Sequence, residues 1–165
     1  MQSDDLAAIE PWLAGVMAPL EPGQRMMLSR RIGMFLRRIN AARVTANRDP
    51  DGNAMTPRKT KAERKPKKGR VPVRQRGKNG AMFKRIELAR NMIVIPGADE
   101  VALTFKPRVV ETAAVHHYGE VAPVNPRYAN SISTRYPERR LLGFGPGDSD
   151  EVLAQVMAHL EAKGL

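Results

Sequence analysis

The sequence predicts an α+β fold, and three observations predict it. Apolar residues recur at helical spacing over residues 4–20, 23–47 and 149–162. Two β-branched runs, Ile93-Val94-Ile95 and Val101-Ala102-Leu103-Thr104-Phe105, flank Pro96-Gly97, which is a hairpin pattern. Between residues 57 and 80 there is no hydrophobic periodicity at all. The expected architecture is an N-terminal helix pair, a long basic arm, a small antiparallel sheet with an inserted helix, and a C-terminal helix. At 165 residues this fits one domain, 1–165, with 57–80 as its arm.

The first helix places Leu6, Ile9, Leu13, Val16 (or Met17) and Leu20 on one side. Ser3 is its expected N-cap, and Pro11 is expected to kink or restart it. The second helix gathers Leu28, Ile32, Phe35, Leu36, Ile39, Ala42 and Ala46 into one arc. Arg30, Arg37 and Arg48 fall opposite, with Arg31 and Arg38 flanking, which fits a solvated face as well as a binding one. Arg48-Asp49-Pro50-Asp51-Gly52 is a strong helix stop. Ala54-Met55-Thr56 reads as a short extended piece.

The arm carries the chemistry. The chain holds 28 Lys+Arg against 17 Asp+Glu, a net charge of +11. Residues 56–90 alone account for +12, so the rest of the chain is close to neutral. The arm's cations are Arg58, Lys59, Lys61, Arg64, Lys65, Lys67, Lys68, Arg70, Arg74, Arg76 and Lys78. At 24 residues the arm exceeds the ~12–15 beyond which structureless loops are uncommon, so it reads as functional. Stretched out, it reaches about 80 Å. Dense Lys/Arg neutralises phosphate and releases counterions. The arm has no aromatic residue to stack on bases, so a nucleic-acid partner would be held by its backbone. An acidic protein surface fits the same charges equally well.

Met82, Phe83, Ile86, Leu88 (or Ala89) and Met92 suit a short helix before the hairpin. Residues 109–118 suit another, with Val110, Ala113, Ala114 and His117 on one side and Gly119 as its stop. Residues 120–134 read as a loop and 134–144 as a third strand bounded or interrupted by Pro137. Asp148 is the expected N-cap of the last helix, with Glu151 as its capping-box partner. Val152, Leu153, Val156, Met157 and Leu160 form the last helix's expected buried stripe.

Several function classes find no support. Cysteine is absent, which excludes disulfide scaffolds, Cys-ligated zinc, iron–sulfur clusters and thiol nucleophiles. No apolar run approaches the ~18 residues of a membrane span. The acidic start argues against a signal or transit peptide, so a soluble, cytosolically made protein is expected. His116 and His117, adjacent on a helix, point about 100° apart and do not share a ligand. One is expected to pack and the other to be exposed or to touch a partner. Asp49-Pro50-Asp51-Gly52-Asn53 lacks the Gly and Glu of a calcium loop, since Ala54 and Thr60 stand there. Gly143-x-Gly145-x-Gly147 runs into Asp148, Asp150 and Glu151, which repel phosphate. The expectation is a non-enzyme with no cofactor and no metal.

The order of elements adds one more reading. Arg48-Asp49-Pro50-Asp51-Gly52 is followed by Ala54-Met55-Thr56-Pro57-Arg58-Lys59, the basic stretch, and Met82-Phe83-Lys84-Arg85-Ile86-Glu87-Leu88-Ala89-Arg90. Next come the hairpin, Val115-His116-His117-Tyr118-Gly119, and Arg135-Tyr136-Pro137-Glu138-Arg139-Arg140-Leu141-Leu142-Gly143. An acidic-capped helix closes the series. Over residues 5–162 this resembles the phage virion morphogenesis family, the tail completion proteins of contractile-tailed and Mu-like bacteriophages. The resemblance implies a structural virion protein that completes the tail and enables head–tail joining, as a ring subunit at the tail end or neck. The implied partners are copies of itself, the tail tube or terminator, neck or connector proteins, and DNA in the channel. The implied location is the virion, and the host cytoplasm during assembly. The resemblance also gives motif positions a structural role: Asp49, Pro50, Asp51, Gly52, Phe83, His116, His117, Gly119, Pro137, Arg139 and Leu142. It implies no catalytic residue. The competing reading is a small basic nucleic-acid-binding protein that contacts phosphate through residues 57–80.

Overall fold

The computed structural model describes residues 20–57 and 88–162, together with Gly15, Met82, Phe83 and Ile86. The first expected helix, apart from Gly15 and Leu20, and the arm beyond Pro57 lie outside the described residues. Helix α1 (Pro22–Thr45) leads into a 3-10 turn (Ala89–Asn91) and a hairpin of β1 (Met92–Pro96) and β2 (Val101–Phe105). Helix α2 (Pro107–Tyr118), a second hairpin of β3 (Val121–Pro123) and β4 (Ser133–Arg135), and helix α3 (Asp148–Glu161) follow. The fold class is α+β, as expected.

Helix α1 starts where Pro22 occupies the first turn, a position that needs no backbone donor. The Glu21 N–H donates to Gln24 Oε1 at 3.2 Å and closes the entry. The helix ends at Asn47, whose φ of 55° is left-handed. Its buried stripe is Leu28, Ser29, Gly33, Leu36, Asn40 and Val44, while Ala42 and Ala46 are exposed. The expected arc was therefore rotated, because three of the buried positions are small or polar and carry no hydrophobic signal. Each has a local reason. A Cβ on Gly33 would stand 2.3 Å from Val94 Cγ1, so the helix lies directly on the hairpin. Ser29 Oγ donates to the Glu100 carbonyl at 2.9 Å. Asn40 donates to the Leu36 carbonyl at 2.9 Å and accepts from the Gly143 N–H at 3.0 Å.

The first hairpin pairs Met92 with Phe105 through Pro96 with Val101. Met92 thus belongs to a strand, and the turn of helix that leads directly into it is the 3-10 turn Ala89–Asn91. Met82, Phe83 and Ile86 stand in turns. Their side chains are still core: Phe83 and Ile86 join Val44, Met55, Met92, Phe105, Val109, Ala113 and Leu141 in one cluster. Helix α2 buries Val109, Ala113 and His116, one position off the expected face, and leaves Val110 exposed. A second cluster joins Leu20, Leu28, Val156 and Leu160, fastening α3 to α1. Met157 is exposed, and His159 takes a buried place on α3 instead.

The expected third strand is not a strand beyond Arg135. Ser133–Arg135 pairs with Val121–Pro123, inside the segment expected to be loop. Residues 136–144 stay extended, but their donors go elsewhere. Tyr136 N–H reaches the Glu120 carbonyl at 3.0 Å, and Arg139 N–H the His116 carbonyl at 2.7 Å. Leu141 N–H reaches His117 Nδ1 at 3.2 Å. Pro137 has no N–H to give. A chain whose donors are bound to helix ends and side chains has none left for a ladder. The result is two separate two-stranded sheets.

Candidate functional site at the root of the basic arm

The arm leaves the described fold at Pro57 and rejoins it at Met82. Both ends are held at one place. Asn47 Oδ1 accepts the Met82 N–H at 2.9 Å, and the Asn47 carbonyl accepts the Met55 N–H at 2.8 Å. Arg139 is buried beside them, at 4% exposure. Its Nε donates to the Thr56 carbonyl at 2.7 Å and its Nη2 to the Pro57 carbonyl at 3.4 Å. Its Nη1 meets His116 Nδ1 at 3.1 Å. Guanidinium only donates, so Nδ1 accepts and the ring proton sits on Nε2.

Aromatic rings close the site. Phe83 and Tyr136 each meet the His116 ring edge-on with centroids 5.0 Å apart. The Arg139 guanidinium carbon lies 6.0 Å from the Phe83 ring centre, at the limit of a cation–π contact. Phe83 stands one residue past Met82, so the returning arm is pinned by a ring on the same arginine that holds its exit.

The turn at 48–54 is built into this hub. Asp49 Oδ1 accepts the Asn53 N–H at 2.8 Å, Gly52 takes φ 87°, and Arg48 bridges to Ala54. Asp51 pairs with Arg140 at 2.5 Å. Pro50 is buried against the glycine loop: a Cβ on Gly143 would lie 2.8 Å from Pro50 Cγ, and one on Gly145 would lie 2.2 Å from the Pro50 carbonyl. The glycines thus admit a crossing chain. Gly119 ends α2 with φ 68° and packs on Glu138.

Asp148 is not an N-cap. Gly147 takes that position, and Asp148 is the first residue of α3. Its carboxylate accepts from both Arg43 nitrogens, at 2.6 and 2.7 Å, and from the Gly145 N–H at 2.8 Å. The hydrogen bonds that Arg43 donates to Asp148 hold the guanidinium above its ordinary value, against the desolvation that lowers it. Sequence reading missed Arg43, Asn40 and Asn47. For Arg43 a signal existed: it stands seven residues after Leu36, on the buried side of α1.

Of the motif residues, Asp49, Pro50, Asp51, Gly52, Phe83, His116, His117, Gly119, Pro137 and Arg139 converge here. Leu142 packs against the neighbouring core. The arm cations Arg58 to Lys78 lie outside the described residues. Of the histidine pair, His116 packs, as expected of one of them. His117 is half-buried and accepts from Leu141, where exposure or a partner was expected. Burial first, and then the Arg140 charge, hold His117 below the ordinary 6.5, against the pull of Glu138.

The linked prediction concerns acid. The folded state binds the His117 proton less readily than the unfolded chain does, so its contribution is complete above the unfolded value and is lost as pH falls through the folded one. His117→Asn keeps an acceptor for Leu141 and removes the titration. Urea unfolding at about pH 7.5 and about pH 5 should show a smaller acid loss in the variant than in the wild type. An equal loss would show that His117 carries none of it.

Among the described residues, no group of three or more His, Asp and Glu side chains is placed to hold a metal ion, and no helix is long and apolar enough to cross a membrane.

A separate feature faces outward. An apolar groove of about 720 Å³ lies between the two core clusters, walled by α1, β2, α2 and α3.

The phage virion morphogenesis family matches residues 4–161. The chain belongs to that family. Tail completion protein S of Escherichia phage P2 is 29% identical over 162 residues, covering 96% of this chain and 99% of that protein. No solved structure matches the chain. For this member of the virion morphogenesis family, the sequence motifs quoted above are a set of contacts around Arg139, brought together from four stretches of chain.

Proposed function

We propose that this chain is a structural virion protein that completes the phage tail and readies it to join the filled head. The observation that carries the reading is its end-to-end likeness to tail completion protein S of phage P2. In this reading the protein is a ring subunit at the tail end or neck and meets the tail tube or terminator and the neck or connector proteins. It acts in the virion, after assembly in the host cytoplasm.

The geometry of the hub supports a division of labour. The body fixes both ends of a stretch, residues 58–81, that carries a net charge of +10. The basic arm then meets a neighbour's carboxylates or DNA in the channel. Its concentrated charge also favours the second reading, a phosphate-binding protein. High-affinity duplex binding by the isolated monomer, lost when the arm's Lys/Arg become Ala, would favour that alternative.

The direct test is deletion of the gene from its phage or prophage. Electron micrographs of the lysate should show filled heads apart from tails. Normally joined virions would overturn the proposal.

A further inference from the structure

From Glu120 to Glu138 no residue is buried. This stretch contains β3 and β4, so the second hairpin stands off the body without a core of its own. Yet it is apolar. Ile132 is 81% exposed, Tyr128 68%, Val121 62% and Val124 57%. Val124 and Ile132 face each other, because the Val124 N–H donates to the Ile132 carbonyl at 3.0 Å just past the paired strands. A lone two-stranded hairpin is marginal in water. An exposed apolar patch on such an element marks a contact surface.

The same chain offers a receptor for it. The groove between the core clusters is lined by Ile32, Leu103, Val110, Val152 and Leu153 among others, and none of its walls comes from the hairpin strands. Its lining includes Asp99 and Glu100 and no lysine or arginine. The hairpin itself, residues 121–135, carries Arg127 and Arg135 and no acid, with Glu120 and Glu138 flanking it. Two different surfaces of one molecule are therefore both apolar and opposite in charge, although Asp99 also pairs with Arg25 at 2.9 Å.

We infer that the β3–β4 hairpin of one subunit seats in the apolar groove of a second copy. Because the two surfaces differ, the contact is head-to-tail, and repeating it closes a ring when the rotation per subunit divides a full turn. This deepens the ring reading and rests on it.

Two variants test it in the full-length protein. Ile132→Asp spoils the hairpin, and Val110→Arg, at a surface position, blocks the groove. Circular dichroism and thermal melts check that each keeps its fold. In sedimentation velocity across a dilution series, the wild type should associate, and each variant should associate about 30-fold more weakly or worse. An equimolar mixture of the two should form dimers and nothing larger, because each variant retains one intact half. A monomeric wild type, a hairpin variant that assembles like the wild type, or a mixture that stays monomeric would each overturn the inference. The tail reading fails separately. A deletion lysate rescued equally by wild type and both variants would contradict the docking and leave tail completion standing.

Discussion

Replacing Arg139 with Met should cost about 3 kcal/mol of folding stability, because His116 Nδ1 loses its donor in a buried site and the Thr56 and Pro57 carbonyls lose theirs at its part-buried edge. For a chain of this size that lowers Tm by about 6–12 °C. Methionine keeps most of the volume, so the loss reports the missing donors rather than a cavity. Arg139→Lys should recover only part of it, since one ammonium does not reproduce a fork spread over the Thr56, Pro57 and Pro137 carbonyls and His116. The local consequence is the more telling one. Hydrogen exchange at the Met55 and Met82 amides should accelerate beyond what the global loss explains, since the two ends of the arm are released together. Unchanged protection there would mean that Arg139 does not hold the root of the arm.

The second large effect is at the Arg43–Asp148 pair. Both side chains are largely buried, with exposures of 21% and 8%, and the pairing is bidentate. A double-mutant cycle with Arg43→Met and Asp148→Asn should return a coupling of about 2 kcal/mol. Salt should change it little, because a sheltered pair is weakly screened. The single Asp148→Asn change should also loosen the glycine loop, since the Gly145 N–H loses a charged acceptor. A coupling near zero would show that α3 is fastened to α1 by Leu28, Val156 and Leu160 alone.

The sequence made some of this legible and not the rest, for physical reasons. The β1–β2 hairpin was readable because β-branched runs around Pro-Gly leave few alternatives. Helix ends were readable at Gly119 and at Asp49-Pro50-Asp51-Gly52, where backbone chemistry is local. Helix faces were less so. On α1 the hidden positions Ser29, Gly33 and Asn40 are buried by what they touch, and apolar periodicity does not register a serine that caps a hairpin turn. The strand expected over 134–144 failed because ladder formation depends on where donors go, and Arg139, Leu141 and Gly143 spend theirs on helix ends and on Asn40. Asp148 looked like an N-cap because the residue type is right. A glycine one position earlier took the cap, and a distant arginine took the carboxylate.

For the site, motif order carried more than chemistry did. Asp-Pro-Asp-Gly and Val-His-His-Tyr-Gly look unrelated as text. In space Pro50 lies under the glycine loop, Asp51 meets Arg140, and His116 meets Arg139, so each motif is one wall of the same hub. That Arg139 also reaches Thr56 and Pro57 was not readable, because nothing in a linear pattern ties an arginine to carbonyls more than eighty residues away. The concentration of +12 in one segment was visible at once, and the hub explains why so charged a stretch interrupts a neutral body without unfolding it.

Under the proposed function, this protein completes a tail so that a head can join it. The most direct measurement adds purified full-length protein to a lysate of the deletion phage and counts plaques before and after. Infectivity should return, and joined virions should replace the separate heads and tails in the same sample. A lysate that is already infectious without the protein, or one whose separated heads and tails stay apart after its addition, would contradict it.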